Sequence, residues 1–293
     1  MKFSFVSLIT KFTLATSVAG ALAGCDDPTY PTPTPVTESS VGRAQVLVVN
    51  AAPGSTSVGI TLDNTAFGTP LPYLGVSAAT SIPAGLRLFI YSEPTNIPAT
   101  PTPTPPPATP LPVVTVARPV VARTAFLGGT NYTVFLTDVP TRAYAFPITA
   151  TSDQGGIRTL TLLDNLAAPA MATNAKIRFV NLSPSGTYGI FNTSTVPAGT
   201  SLFLAVPTRR FRDISFVTPP VPPSTTGITT NFANFTEVPE GLYTLDVRST
   251  ATTALTGTRL PVTLAAGKIY TLYTRGIAGN ATTPLGISVV THN

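Results

Sequence analysis

The 293-residue chain has no Trp, one Cys (Cys25), one His (His292) and only 10% charged residues, where an ordinary globular domain has about 25%. Each shortage excludes something. A single Cys leaves no intramolecular disulfide, so stapled small-domain scaffolds are out and any folded part must hold by core packing. A single His gives a Ser/His/Asp relay one possible base, and His292 stands next to the last residue, where an exposed, frayed side chain is expected. Zinc wants His and Cys that are absent, and no acidic loop has the oxygen spacing of a calcium site. No metal or other cofactor is expected. The net charge of +5 comes from 17 basic and 12 acidic residues; without Lys2 and Lys11, which fall in a removable leader, 15 basic residues face the 12 acids. Nucleic-acid binders cluster Lys and Arg on one face. Here they lie singly, apart from Arg209, Arg210 and Arg212, so nucleic acid is not an expected partner.

What remains is 43% hydrophobic, with 31 Pro and 22 Gly among abundant Thr and Val. That is too apolar for a solvated disordered chain and has the wrong residues for long helices. Short apolar or alternating runs stand between Gly, Pro, Asn and Ser at intervals of about ten residues, the pattern of an all-β sandwich. In GLYTLDVR, Tyr243, Leu245 and Val247 alternate with Thr244, Asp246 and Arg248, giving one wet and one buried face. Gly128-Gly129 and Gly155-Gly156 lack the Lys-Ser/Thr of a phosphate loop and are expected as hairpin turns.

The N-terminus MKFSFVSLITKFTLATSVAGALAGC has a short basic region, an apolar stretch and small residues before Cys25, the layout of a secretory signal peptide. Lys11 leaves residues 12–23 as the apolar segment, too short for a spanning helix of about 20 residues. Leu22-Ala23-Gly24-Cys25 resembles the lipobox of bacterial lipoprotein signal peptides. That resemblance implies cleavage before Cys25, lipidation of its thiol and membrane anchoring in a bacterial cell envelope, periplasmic or surface-exposed; the alternative is an ordinary signal peptide with a chance Cys. Residues 1–24 would be the leader and 25–42 a Pro/Thr-rich tether, which at about 3.1 Å per residue would hold the folded part up to roughly 50 Å from the lipid.

The rest repeats. AQVLVVNAAP (44–53) matches AKIRFVNLSP (175–184), SIPAGLRLFIYS (81–92) matches EVPEGLYTLDVR (237–248), FLGGTNYTVFLT (126–137) matches LAAGKIYTLYTR (264–275), and LTLLDN (160–165) matches ISVVTH (287–292). Four blocks in one order indicate a tandem duplication. The expectation is two immunoglobulin-like β-sandwich modules, 43–168 and 173–293, of about seven strands each. A short small-residue join would allow some hinge freedom. Pro-rich stretches at 94–112 in the first module and 218–227 in the second cannot pair in a central sheet and are expected as loops. The strand ending Asn-x-x-Pro, the Pro-x-Gly turn and the Gly-x-x-Tyr-Thr strand resemble the tandem modules of the bacterial family called domain of unknown function 4397. That resemblance implies the fold and an exported, often lipid-anchored protein, without an activity.

Chemistry is sparse. Glu237 and Glu240 flank one turn, but the first module has Ser81 and Ala84 there, so a glycosidase pair is disfavoured against turn residues. Arg209, Arg210 and Arg212 form the one concentrated patch. They could contact an anionic polymer or charge an edge strand against aggregation. Tyr73, Tyr144 and Tyr188 could stack on sugars or pack sandwich corners. The function expected is non-catalytic: a structural, adhesive or protein-interaction role, or else carbohydrate or peptidoglycan binding, with an envelope protein or glycan as partner.

Overall fold

Asn50 and Asn181 close the first strand of each repeat in the same way. Asn50 Oδ1 accepts from the Ala52 N–H at 3.2 Å and Asn181 Oδ1 from the Ser183 N–H at 3.1 Å, so each turns the chain out of the sheet. Both side chains are fully buried, with amides that bond to Leu71 O in the first repeat and to Arg209 O in the second. The computed structural model describes residues 42–92, 120–142, 156–194, 200–204, 206–218, 228–250 and 259–293. Cys25, the leader, nearly all the tether, the stretch 94–112, Tyr144 and nearly all of 218–227 lie outside the described residues.

The described chain is all-β. In the first half run β1 (Arg43–Asn50), β2 (Ser57–Leu62), β3 (Thr65–Ala66), β4 (Leu71–Pro72), β5 (Thr80–Pro83), β6 (Gly85–Ser92), β7 (Val120–Phe126), β8 (Asn131–Thr137) and β9 (Arg158–Asp164). In the second run β10 (Asn174–Asn181), β11 (Gly189–Asn192), β12 (Thr200–Ser201), β13 (Ser215–Thr218), β14 (Ile228–Asn231), β15 (Thr236–Pro239), β16 (Gly241–Arg248), β17 (Leu260–Leu264), β18 (Ile269–Arg275) and β19 (Gly286–Thr291). The first half makes sheets β5-β1-β8-β9 and β3-β2-β6-β7, with β4 on β2. The second repeats them as β15-β10-β18-β19 and β12-β11-β16-β17, with a separate β13-β14 hairpin. Register repeats too: Arg43 faces Pro83 and Val46 faces Tyr132, as Asn174 faces Pro239 and Ile177 faces Tyr270. The count exceeds seven per half partly because two-residue pieces such as β3, β4 and β12 pair separately.

Three apolar clusters hold the sheets. One lies between the two sheets of the first half, through Val46, Val48, Phe89, Phe126 and Val134; its counterpart in the second half runs through Ile177, Phe179, Leu245, Val247 and Leu272. A third joins the halves, with Val49, Phe135, Leu160 and Leu162 against Val180, Leu182, Tyr273 and Val290. Hence β1, β8, β10 and β18 are buried on both faces, which accounts for runs such as VLVV. The β1–β8 and β10–β18 pairs are parallel, and parallel strands covered on both sides read as near-continuous apolar sequence.

The join differs from the expected hinge. Glu237 on β15 accepts from the Ala170 and Met171 N–H groups and from Asn174 Nδ2, at 2.6, 3.3 and 3.1 Å, which holds its carboxyl below the usual range. With that clasp and the third cluster, residues 41–293 form one compact unit. A free linker would leave an apolar face open to water on each half; the residues that β1, β8, β10 and β18 turn away from their own sandwiches require cover.

Candidate functional site

Two polar clusters among the described residues arise where the second repeat departs from the first. The first is the seam between halves. Alternation on β10 puts Ile177 and Phe179 in the sandwich core, so Arg178 points into the seam, fully buried. A buried guanidinium must be paired. Arg178 Nη2 lies 2.6 Å from Asp164 Oδ1, and Nε donates to Thr271 Oγ1 at 2.8 Å. Nη1 donates to Leu163 O at 3.2 Å, and the guanidinium carbon stands 4.6 Å from the Phe235 ring centroid. Thr133 Oγ1 donates to Asp164 Oδ2 at 2.7 Å. Desolvation lowers the Arg178 pKa against the opposing pull of Asp164.

His292 belongs to this cluster, which corrects its expected place on a frayed tail. Its side chain is 2% exposed. The His292 N–H donates to Ile269 O at 2.9 Å, and Asn293 Oδ1 accepts from the Ile269 N–H at 2.9 Å, so the segment continues the β18–β19 ladder. Nε2 lies 2.7 Å from Thr271 Oγ1, and Nδ1 lies 3.7 Å from Asp164 Oδ2. Because Thr271 Oγ1 already accepts from Arg178, its own proton suits Nε2, leaving the imidazole proton on Nδ1 toward Asp164. Burial pushes the His292 pKa down to about 4, with Asp164 raising it and Arg178 lowering it.

Thr271, His292 and Asp164 thus stand in the order of a nucleophile relay. Thr271 is fully buried and its oxygen carries a cationic donor, which withdraws the electron density a nucleophile needs. The set works as a clasp between halves.

The second place is the arginine patch, which the structure takes apart. Residues 209–212 form a turn rather than an edge strand, apart from one bridge between Arg209 and Tyr188. Arg210 is exposed. Arg212 is half-buried and its Nη2 donates to Thr159 O of the first half at 2.6 Å. Arg209 is 6% exposed, with its guanidinium carbon 4.0, 4.8 and 5.1 Å from the ring centroids of Phe232, Phe203 and Phe179. Nη1 donates to Phe179 O, and Nε is buried without a partner. No carboxylate among the described residues pairs with Arg209, and burial alone pushes its pKa down to about 9. It borders a cleft of about 510 Å³ whose lining includes apolar Leu202, Phe203 and Val206 and polar Thr230, Asn231 and Asn234.

Of the tyrosines, Tyr188 is 5% exposed with its hydroxyl 3.0 Å from Ser185 Oγ. Its ring packs in the second core, which corrects the expectation of a sugar platform there. Tyr73 is half-buried, and burial raises its pKa against the pull of Arg275.

Residues 44–187 match the family described as Domain of unknown function (DUF4397). The chain carries a DUF4397 domain. The match takes in the first repeat and runs through β10 to residue 187. No curated protein matches the chain. Matching solved structures include a candidate cell adhesion protein from Parabacteroides distasonis ATCC 8503, at 8% identity and TM-score 0.20, covering 86% of this chain and 100% of that one. Candidate cell adhesion proteins from Bacteroides uniformis ATCC 8492 and Bacteroides eggerthii DSM 20697 match at 12% and 7% identity, both with TM-score 0.18. They cover 85% and 86% of this chain, and 99% and 96% of their own chains are covered.

The polar residues that matter most, Arg178, Asp164 and Thr271, were not singled out from sequence. A signal existed for Arg178: it interrupts the apolar run AKIRFVNL where the first repeat has Leu47. The Phe cage around Arg209 draws on residues 179, 203 and 232, too far apart in sequence to suggest a site.

Proposed function

We propose that this DUF4397-domain chain is a lipid-anchored protein of the bacterial cell envelope with a non-catalytic structural, adhesive or protein-interaction role. The observation that carries the anchor is Leu22-Ala23-Gly24-Cys25, with the only Cys of the chain at the one place a lipobox needs it. Two or more acyl chains there would give stable membrane attachment. The double sandwich suits display, because two cores and a buried seam pack the halves into one body. The non-catalytic reading is supported by the closure of the one relay-like set among the described residues, Thr271, His292 and Asp164, inside the seam. Changing Cys25→Ala is expected to move the protein from the detergent-rich to the aqueous phase on cloud-point partitioning; unchanged partitioning would refute the anchor. A second reading, a glycan-binding accessory protein, is favoured by the cleft at Arg209, where a buried cation with no carboxylate partner among the described residues shares the lining with hydroxyl and amide side chains.

A further inference from the structure

Ladder pairing shows what Arg209 replaces. In the first repeat Val58 pairs with Leu71, and in the second Tyr188 pairs with Arg209. Leu71 O receives the Asn50 amide as Arg209 O receives the Asn181 amide. Three residues on, the Leu74 N–H donates to Asn50 O at 2.7 Å and the Arg212 N–H to Asn181 O at 2.8 Å, and both residues have left-handed φ, 65° and 61°. Leu71-Pro72-Tyr73-Leu74 and Arg209-Arg210-Phe211-Arg212 are therefore the same turn. The fold asks for an apolar residue at its first position, where Leu71 is 6% exposed in the first core. The second repeat puts a guanidinium there, desolvates it and gives it no carboxylate among the described residues. A buried, uncompensated cation at a cavity wall is the group an anion site is built around.

We propose that the cleft beside Arg209 binds a carboxylate-bearing sugar, a hexuronate unit of an acidic glycan, with the guanidinium as its carboxylate contact. The planar guanidinium fork suits a carboxylate. The lining combines Leu202, Phe203 and Val206, apolar side chains suited to the C–H face of a pyranose, with Thr230, Asn231 and Asn234, whose hydroxyl and amide groups suit ring hydroxyls. About 510 Å³ lies within the 300–1,000 Å³ range of small-molecule sites. A peptide carboxy-terminus would use the cation and the apolar side chains but has no ring hydroxyls to match Thr230, Asn231 and Asn234. This inference rests on the glycan-binding reading for its ligand class and is independent of the anchor, so partitioning can fail while sugar binding holds, and the reverse.

The test is calorimetric titration of the full-length chain in detergent with D-galacturonate and D-glucuronate trisaccharides, against neutral glucose oligomers, sodium sulfate and the tripeptide Gly-Ala-Ala. Saturable uronate binding is expected, at least tenfold tighter than any control. Arg209→Leu, which imports the first repeat's residue, should weaken it at least tenfold with the circular dichroism spectrum unchanged. Asn234→Asp, at an exposed position on the cleft wall, should weaken it by repelling the carboxylate; if Arg209→Leu does not fold, this variant decides. No saturable uronate signal, equal binding of neutral sugar or sulfate, tighter binding of the tripeptide, or both variants binding like the wild type would overturn the proposal.

Discussion

At the scale of single residues, Arg209 sets a cost against an interaction. Burying a lone cation is unfavourable, and replacing buried charge by well-packed apolar groups often stabilises by about 1–4 kcal/mol. The three Phe rings around the guanidinium offset part of this, by about 2 kcal/mol for a desolvated cation–π contact. The charge cost is the larger, because no carboxylate among the described residues shares the burial. Arg209→Leu is therefore expected to raise unfolding stability by about 1 kcal/mol in urea titration, a gain typical of exchanging a functional group for a structural one. A loss of stability would show that the aromatic cage compensates the charge in full. The arginines were legible as a patch, yet their equivalence to Leu71, Pro72 and Leu74 was not. No identity survives at these positions, and only the backbone partners they share with the first repeat reveal it.

At the scale of elements, the strand-to-turn unit after β1 and β10 is densely hydrogen-bonded in each repeat. Asn181 donates to Gly186 O and Arg209 O, both at 2.8 Å, and accepts from the Ser183 N–H and, at 2.6 Å, from the Thr274 hydroxyl. Each bond contributes about 1 kcal/mol, but a buried group left unpaired costs about 1–3 kcal/mol. Asn181→Ala should thus lower stability by about 3 kcal/mol, measured by thermal or urea unfolding; a change under 1 kcal/mol would mean that water replaces the amide. The strands themselves were largely readable, because period-2 alternation and Pro-x-Gly turns are local signals. The ladders shift the pairing of the last block by one residue. LTLLDN against ISVVTH sets Asp164 beside Thr291, whereas the ladders place Tyr132 opposite Leu163 and Tyr270 opposite Thr291, which makes Asp164 the counterpart of His292. In β9 apolar residues fill both phases of the alternation, with Leu163 exposed beside buried Leu160 and Leu162. A one-residue slip then leaves no mark on the hydrophobic pattern.

At the scale of the molecule, that corrected register shows how the halves meet. Phe135 and Tyr273 are equivalent, and their rings touch across the seam with centroids 5.5 Å apart. Val49 and Val180 are equivalent as well, as are Leu162 and Val290, and all four lie in the shared cluster. Each repeat therefore presents the same face to the other, as in an isologous dimer. At that face Thr133 bonds to Asp164 in the first repeat and its counterpart Thr271 bonds to His292 in the second, so one position carries an acid in one copy and a base in the other. The consequence is a pH-dependent seam. In the unfolded chain His292 titrates near 6.5, and in the folded one near 4, held down by burial and by Arg178 against the pull of Asp164. Between those values the unfolded chain binds the extra proton, so stability is complete above about pH 6.5 and is lost as the pH falls toward 4. The loss amounts to about 3 kcal/mol, because each pH unit between the two titrations is worth about 1.4 kcal/mol. Carboxylates elsewhere titrate over part of this window, so the comparison must be with His292→Gln, which keeps a polar group at Thr271 and removes the titration. The stability difference between wild type and variant, followed by urea unfolding from pH 7.5 to 4, is expected to swing by about 3 kcal/mol against the wild type as the pH falls. Parallel curves across that range would mean that the imidazole is reached by water and that the seam opens around it.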